Sequence, residues 1–388
     1  MKIALVSRAT AGYLRALHEG FADATRGEAS LDIIWPDDVV RTATQTGHLP
    51  SASNLTVHTV TSPPAWPWLA RLLSVSRQEP VMPRLPTGAV WRTLSLLKPS
   101  LVWIHEFSPF TIEALLFAKL NALPLIVSSE VGRANARYFG RVVQLWHRFW
   151  GHFADGFIAC CPAAREPLSR TAAPVMEAFH AVDTRLFKPS ASRALNPTTT
   201  FVYVGSLIER KGIDLLLHAA NALRQLTHEL FMIRLIGGGD ASSVHAIAEP
   251  LGLSSYLEVT GRLEGESLRE AIRSSDVFVL PTRQDTYGAV VHEAASLGLP
   301  LLVSRNAGAA EALVQEGVTG FTIDPEDAIS FANVMKQLLN PTLRLELATA
   351  ARTRAEELSA HRRAQALWQW MQEEFITKPG TCLVPAAA

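Results

Sequence analysis

Short apolar runs alternate with helix-patterned segments from one end of this sequence to the other, and few folds satisfy that alternation. In the first half the runs fall at Ile3–Val6, Leu31–Trp35, Val57–Val60, Leu101–His105, Leu125–Ser128, Gly156–Cys160 and Val175–Ala178. Helical patterns lie between them near 12–25, 87–97, 109–121, 137–152 and 162–170. Most of the runs are apolar throughout. Strands covered by helices on both faces need no apolar–polar alternation, whereas half-exposed antiparallel strands do. The pattern therefore predicts α/β architecture built on parallel sheets.

The pattern breaks once. FKPSASRALNPTTT, Phe187 to Thr200, carries two prolines, several small polar residues and no periodicity, which predicts an interdomain linker. Alternation then resumes with runs at Thr200–Val204, Phe231–Ile236, Leu257–Val259, Val277–Leu280, Leu301–Ser304 and Gly320–Ile323, and with helical patterns to about residue 375. At 388 residues the chain can supply two such domains with separate cores. The expected division is an N-terminal domain over 1–187 and a C-terminal domain over 188–360. A helix over 361–376 is expected to pack back toward the N-terminal domain, with a flexible tail over 377–388. Two doubly wound, Rossmann-like domains would face each other across a cleft, with ligands beyond the carboxyl ends of the strands.

Composition narrows the function. Lys+Arg and Asp+Glu both number 36, which argues against a nucleic-acid partner. Cys160, Cys161 and Cys382 show neither a disulfide framework nor zinc-ligand spacing, so a cytoplasmic setting is the default expectation. The N-terminal apolar run is short for a signal peptide, and no run is long enough to span a bilayer. Residues 61–152 nevertheless hold ten basic and four acidic residues, a local charge of +6. Arg133, Arg137, Arg141 and Arg148 recur among Tyr138, Phe139, Trp146, Phe149 and Trp150, and Pro64 to Arg77 adds two tryptophans. Such a surface suits anionic headgroups. A packed helix with solvated arginines reads the same way, so a peripheral membrane contact stays open.

The stretch PTRQDTYGAVVHEAASLGLPLLVS, Pro281 to Ser304, carries the clearest chemistry. A strand stops at Pro281, and then come Asp285, Gly288 and a helix with Glu293 in its early turns. A helix beginning near Gly288 offers free amides and a positive dipole end to a phosphate. Carboxylates on either side can accept hydrogen bonds from hydroxyl groups. Phosphate flanked by hydroxyls describes a sugar nucleotide. Upstream, VGSLIERKGIDLLLHA, Val204 to Ala219, ends a strand at Gly205 and places Arg210 and Lys211 before the next helix, where paired cations can neutralise a diphosphate.

With RLIGGGD (Arg234 to Asp240), VTGRL (Val259 to Leu263), AGAAEALVQEGVTGFTIDPED (Ala307 to Asp327) and FHAVDTRLFKP (Phe179 to Pro189), these motifs stand in the order found in a known family. The sequence resembles the retaining glycosyltransferases of family 4, the group 1 class with the GT-B fold. The resemblance is carried by residues beyond about 179 and is weak before residue 100. It implies a donor site formed by Gly205, Ser206, Gly238, Arg262, Asp285, Thr286, Tyr287, Gly288, Ala289 and Glu293. Arg210 and Lys211 would face the diphosphate, Asp285 the donor sugar and Glu293 the ribose. The family norm is glutamate where Asp285 stands, often arginine where Ser206 stands, and phenylalanine where Tyr287 stands, which suits packing.

The acceptor side is less readable. Gly12 opens the first helical pattern, His105 and Glu106 end one strand, and Glu130 ends another. Many family members have histidine at the position aligned with Glu130. A carboxylate there can orient an acceptor hydroxyl or stabilise positive charge on the sugar, so Glu130 and His105 join Arg210 and Lys211 as catalytic candidates. No DxD, HExxH, paired CxxC or GxSxG motif occurs, and the expectation is catalysis without a metal or other cofactor. Cations and helix amides would stabilise the leaving phosphate instead. The expected activity is transfer of a sugar from a nucleoside-diphosphate donor to a glycan, glycolipid or small-molecule hydroxyl. A nucleotide-sugar epimerase or phosphorylase on the same fold is the alternative, and a catalytically silent sugar-nucleotide binder is the third reading.

Overall fold

The structure is a computed structural model that describes residues 1–9, 11–64, 84–131, 141–189 and 198–377, with backbone alone at 141–144 and 146. Arg133, Arg137, Tyr138, Phe139, the two tryptophans of the 64–77 stretch, most of the expected linker, Cys382 and nearly all of the expected tail lie outside the described residues. The chain forms two compact units. One joins Met1–Ala181 to the chain from Ala360 onward, and the other is Val182–Ser359.

In the first unit the strands are β1 (Lys2–Val6), β2 (Ser30–Pro36), β3 (Leu55–Val60), β4 (Leu101–His105), β5 (Leu125–Ser129), β6 (Gly156–Ala159) and β7 (Val175–Glu177). They form a parallel sheet in the order β3-β2-β1-β4-β5-β6-β7. Its helices are α1 (Gly12–Ala24), α2 (Asp37–Gln45), α3 (Ala89–Leu97), α4 (Ile112–Leu120), α5 (Arg141–Trp150) and α6 (Pro162–Leu168). Helix α2 is absent from the apolar pattern because it is only 9 residues long and mostly polar, burying Val39 and Ala43. Its readable signal was Asp37 and Asp38 in the first turn, where carboxylates favour the positive end of a helix.

The second unit holds β8 (Thr199–Val204), β9 (Phe231–Ile236), β10 (Leu257–Gly261), β11 (Val277–Leu280), β12 (Leu301–Ser304) and β13 (Gly320–Ile323), parallel in the order β10-β9-β8-β11-β12-β13. Its helices are α7 (Ile213–Leu226), α8 (Ala241–Ala248), α9 (Gly265–Arg273), α10 (Ala289–Ser296), α11 (Gly308–Leu313), α12 (Ala328–Gln337) and α13 (Pro341–Glu357). Both units are thus doubly wound, Rossmann-like layers. Strand order reverses beside β1 in one sheet and beside β8 in the other. There the loops part and leave a crevice at the carboxyl edge.

The last helix, α14 (Ala360–Met371), belongs to the first unit. Ala364, Leu367, Trp368 and Met371 enter the same core as Ile3, Leu31, Trp35 and Trp103. Gly20 of α1 lets the backbones approach, since a Cβ there would stand 3.3 Å from both Ala360 O and Ala364 Cβ.

Candidate functional site

At the switch point of the second unit, the loops after β8 and β11 are tied together. Arg210 O accepts from Arg283 N at 3.0 Å and from Thr282 Oγ1 at 3.1 Å, while Arg210 Nη1 donates to Gln284 O at 3.1 Å. Arg283 also forks onto Asp214 at 2.7 and 2.6 Å and donates to Glu209 O at 2.7 Å. That fork fastens the β11 loop to the first turn of α7, and its hydrogen bonds hold the Asp214 carboxyl below its usual value. Arg283 and Asp214 were not singled out from sequence, although Arg283 lies two residues before Asp285.

Lys211 and Asp285 form an ion pair with each other, and both side chains are only 15 % exposed. The cation assigned to phosphate and the acid assigned to sugar therefore meet directly. Asp285 is further held by its backbone, with Asp285 N donating to Asn306 O at 3.1 Å and Gly308 N donating to Asp285 O at 3.2 Å. Thr286 follows it, and Tyr287 is buried, with its carbonyl accepting from Ala309 N at 2.8 Å. Gly288, at φ 89°, turns the chain into α10 through a conformation that L side chains rarely adopt. Among the described residues, the amides of Ala289 and Val290 at the start of α10 find no protein acceptor.

Glu293 lies one turn further along α10, half-buried, and no described residue hydrogen-bonds its carboxylate. Burial pushes the Glu293 carboxyl up to about 7 against the pull of Arg269. The other candidates are more peripheral. Gly205 leaves room for the Tyr203 hydroxyl, which donates to Ser206 O at 2.9 Å. A side chain at Gly238 would meet no atom within 4 Å. Arg262 is 73 % exposed and paired with Glu264 at 2.7 Å, so here it lies on the surface.

In the first unit the loops after β4, β5 and β7 bring together groups far apart in sequence. His180 Nε2 lies 2.7 Å from Glu130 Oε1, and His105 Nε2 lies 3.9 Å from the same oxygen. The ring of Tyr13, next to Gly12 at the start of α1, stands 4.3 Å from the His180 ring. Burial alone would raise the Glu130 carboxyl, but the His180 charge and hydrogen bond, with His105, hold it down to about 2. Burial lowers His105 from its usual value. His180 was missed because FHAVD read only as the approach to the linker.

Glu106, whose φ of 59° is unusual for a residue with a side chain, braces this cluster. Its carboxyl accepts the Glu130 amide and the Ser129 hydroxyl, the latter at 3.1 Å, and lies 3.6 Å from His147 Nδ1. Burial raises the Glu106 carboxyl to about 8, and His147 is pushed by burial to about 4. Neutral Glu106 against neutral His147, beside ionised Glu130, is the expected state near pH 7. A carboxyl whose folded value lies above its unfolded value supports the fold below the unfolded value, and that support is lost as pH rises through the folded one. The window here runs from about 4.5 to about 8. Glu106→Gln keeps an acceptor for the Glu130 amide without titrating. Denaturant midpoints at pH 5 and pH 9 are expected to differ less in Glu106→Gln than in the parent; equal pH dependence would place the Glu106 carboxyl in water.

Among the described residues, no helix is long and apolar enough to cross a membrane. Residues 198–341 match the family described as Glycosyl transferases group 1. The sulfoquinovosyl transferase SQD2 of Arabidopsis thaliana is 27% identical over 314 residues, covering 72% of this chain and 60% of that protein. The GDP-mannose-dependent alpha-(1-6)-phosphatidylinositol monomannoside mannosyltransferase of Mycobacterium tuberculosis is 27% identical over 212 residues, covering 51% of this chain and 52% of that one. The chain thus spans about half to three-fifths of the length of these relatives. In fold it is similar to Anabaena HepE, solved in complex with UDP, at a TM-score of 0.73 and 17% identity over 96% of this chain and 100% of that one.

Proposed function

We propose that this chain, whose residues 198–341 match the group 1 glycosyl transferases, transfers a sugar from a nucleoside-diphosphate donor to an acceptor hydroxyl. The observation that carries this reading is the meeting of Arg210, Lys211, Asp285 and the start of α10 at one switch point. The donor diphosphate would draw Lys211 from Asp285 and take the free amides of Ala289 and Val290. Asp285, released, would accept from the donor sugar's hydroxyls, and Glu293 from the ribose. As the anomeric carbon–oxygen bond breaks, its electron pair stays on the phosphate oxygen, where Lys211 and Arg210 stabilise the growing charge without a metal. The acceptor hydroxyl then bonds the anomeric carbon. In a retaining reaction it attacks from the leaving group's face, and its proton passes to the departing phosphate. Glu130, ionised and held by His180, would be the acceptor-side carboxylate. A hexosyl donor and a glycan, glycolipid or small-molecule acceptor fit the reading. The GDP-mannose-dependent relative suggests the same donor class.

The test is a panel of sugar nucleotides incubated with the full chain. Slow release of nucleoside diphosphate from one donor is expected, accelerated by the right acceptor. Recovery of epimerised donor, or no donor bound at all, overturns the reading.

Glu293 supplies a sharper check. An intact donor has no phosphate that titrates near neutrality, so pH-dependent affinity reports the protein. Hydroxyl donors favour ionised Glu293, and its carboxyl sits at about 7. Affinity is therefore expected to rise by about tenfold between pH 6 and pH 8, as the ionised fraction grows. Glu293→Gln should bind with little pH dependence, and Glu293→Ala should bind more weakly than either. Unchanged profiles in both variants would make Glu293 a helix residue without a ligand.

A further inference from the structure

The first unit contains a cavity of about 950 Å³, at the upper end of the range for small-ligand sites. Phe107, Val131, Phe157 and Leu168 give it apolar walls. Ser129 and His147 also line it. Both contact the Glu106 carboxyl, which in turn accepts the Glu130 amide, so the cavity adjoins the acceptor-side cluster. None of the donor chemistry uses it.

Two further observations indicate what it holds. Leu145, a lining residue, is 65% exposed and begins an apolar surface that continues through Phe149 and Phe153, themselves 59% and 39% exposed. The rings of Phe149, Trp150 and Phe153 cluster at 4.9 to 5.7 Å. Large apolar side chains that share a surface with an apolar cavity suit a partner that is itself apolar and arrives from an interface. Arg148 lies within this surface and also lines the cavity. It is exposed, and among the described residues its guanidinium has no acidic partner. Arg170, the other lining arginine, is already paired with Glu166 at 2.5 Å. Ser129, His147, His152 and Thr171 are also in the lining, but most of it is apolar, so a sugar or nucleotide would leave most of its hydroxyls unsatisfied there. A hydrocarbon chain would not, and an anionic group beside it would match Arg148.

We propose that this cavity takes the hydrocarbon chain of a membrane lipid whose phosphate is held by Arg148, and that this lipid is the acceptor. The inference rests on the glycosyl-transfer reading and names its acceptor class. The Leu145–Phe149–Phe153 surface would lie against the bilayer from which the lipid is drawn.

The probe is fluorescent lysophosphatidic acid, titrated into the full chain below its micelle concentration, with fluorescent lysophosphatidylcholine as the neutral-headgroup control. Saturable binding that prefers lysophosphatidic acid is expected. Ala173→Trp, which puts an indole at the cavity wall, should weaken binding by about tenfold, the loss of roughly two buried methylenes. Arg148→Gln should erase the preference between the two headgroups. Thermal midpoints and nucleoside-diphosphate affinity should stay near the parent's in both variants. Sedimentation with phosphatidylcholine vesicles, with and without phosphatidic acid, should show binding to the acidic vesicles only. Non-saturable binding, or equal affinity in parent and both variants, overturns the proposal. So does saturable probe binding with no vesicle binding, since the source would then be soluble. Nucleoside-diphosphate binding without lipid binding sinks this inference alone, whereas lipid binding with no turnover of any donor sinks the transferase reading.

Discussion

Lys211→Ala is expected to lower turnover of an intact donor by about a hundredfold or more. Contacts that stabilise charge developing in the transition state are worth about 3 kcal/mol each when the site is preorganised. Lys211 meets that description because its side chain is only 15 % exposed, on a loop that hydrogen bonds tie to the β11 loop at the switch point. The effect should fall mainly on kcat, since the leaving diphosphate carries more charge in the transition state than in the bound donor. Removing the lysine also leaves Asp285 without its cation in a partly buried site, so some loss of stability is expected. Asp285→Ala separates the two effects. It also breaks the pair but spares the cation, and it should weaken binding of the intact donor while leaving nucleoside-diphosphate binding nearly unchanged. Near-normal turnover in Lys211→Ala, at a temperature where it is folded, would remove Lys211 from the leaving-group site. Equal losses for donor and bare nucleotide in Asp285→Ala would take that residue out of the sugar pocket.

Gly212→Ala is expected to be strongly destabilising for a change of one methyl group. Gly212 has φ 70°, and a Cβ there would stand 2.2 Å from Pro281 O and 3.1 Å from its carbonyl carbon. The backbone has little freedom to move away. Gly212 N donates to Glu209 O at 2.9 Å, and its carbonyl accepts from Leu216 N at 3.1 Å in the first turn of α7. Forcing a side chain into the left-handed region costs about 1–2 kcal/mol. Overpacking against fixed backbone adds about 1–3 kcal/mol. A loss of roughly 2–5 kcal/mol in the second unit is therefore expected from denaturant unfolding followed by probes in that unit. Gly238→Ala is the control, because its Cβ would meet open space and its φ lies outside the positive range. Similar midpoints for the two variants would show that the β8 and β11 loops separate easily, and the preorganisation invoked for Lys211 would fall with them.

The reach of local pattern explains which parts of this protein its sequence determined. Apolar runs without alternation specify parallel strands buried on both faces, and both sheets have that form. Glycine and proline at strand ends mark where loops begin, so the sequence itself places the loops bearing Arg210, Lys211, Asp285 and Gly288 at a carboxyl edge. Helix α2 escaped because it is short and mostly polar, and so adds few apolar residues to the pattern. Pairings escaped for a different reason. Lys211 meets Asp285 across 74 residues of chain, and Arg283 reaches Asp214 across 69. Those contacts exist because β8 and β11 are neighbours in the sheet, and strand order is a property of how the layers pack. The same holds for His180 on Glu130 and for His147 beside Glu106, which meet only because the β4, β5 and β7 ends and α5 converge. The charge states follow from those meetings. In water Glu106 and Glu130 would titrate alike, but burial raises one to about 8 while two histidines hold the other down to about 2. Sequence determined which side chains stand at the strand ends. Tertiary structure decided which of them touch and which keep their charge, because solvation and Coulomb interaction depend on neighbours in space rather than neighbours in the chain.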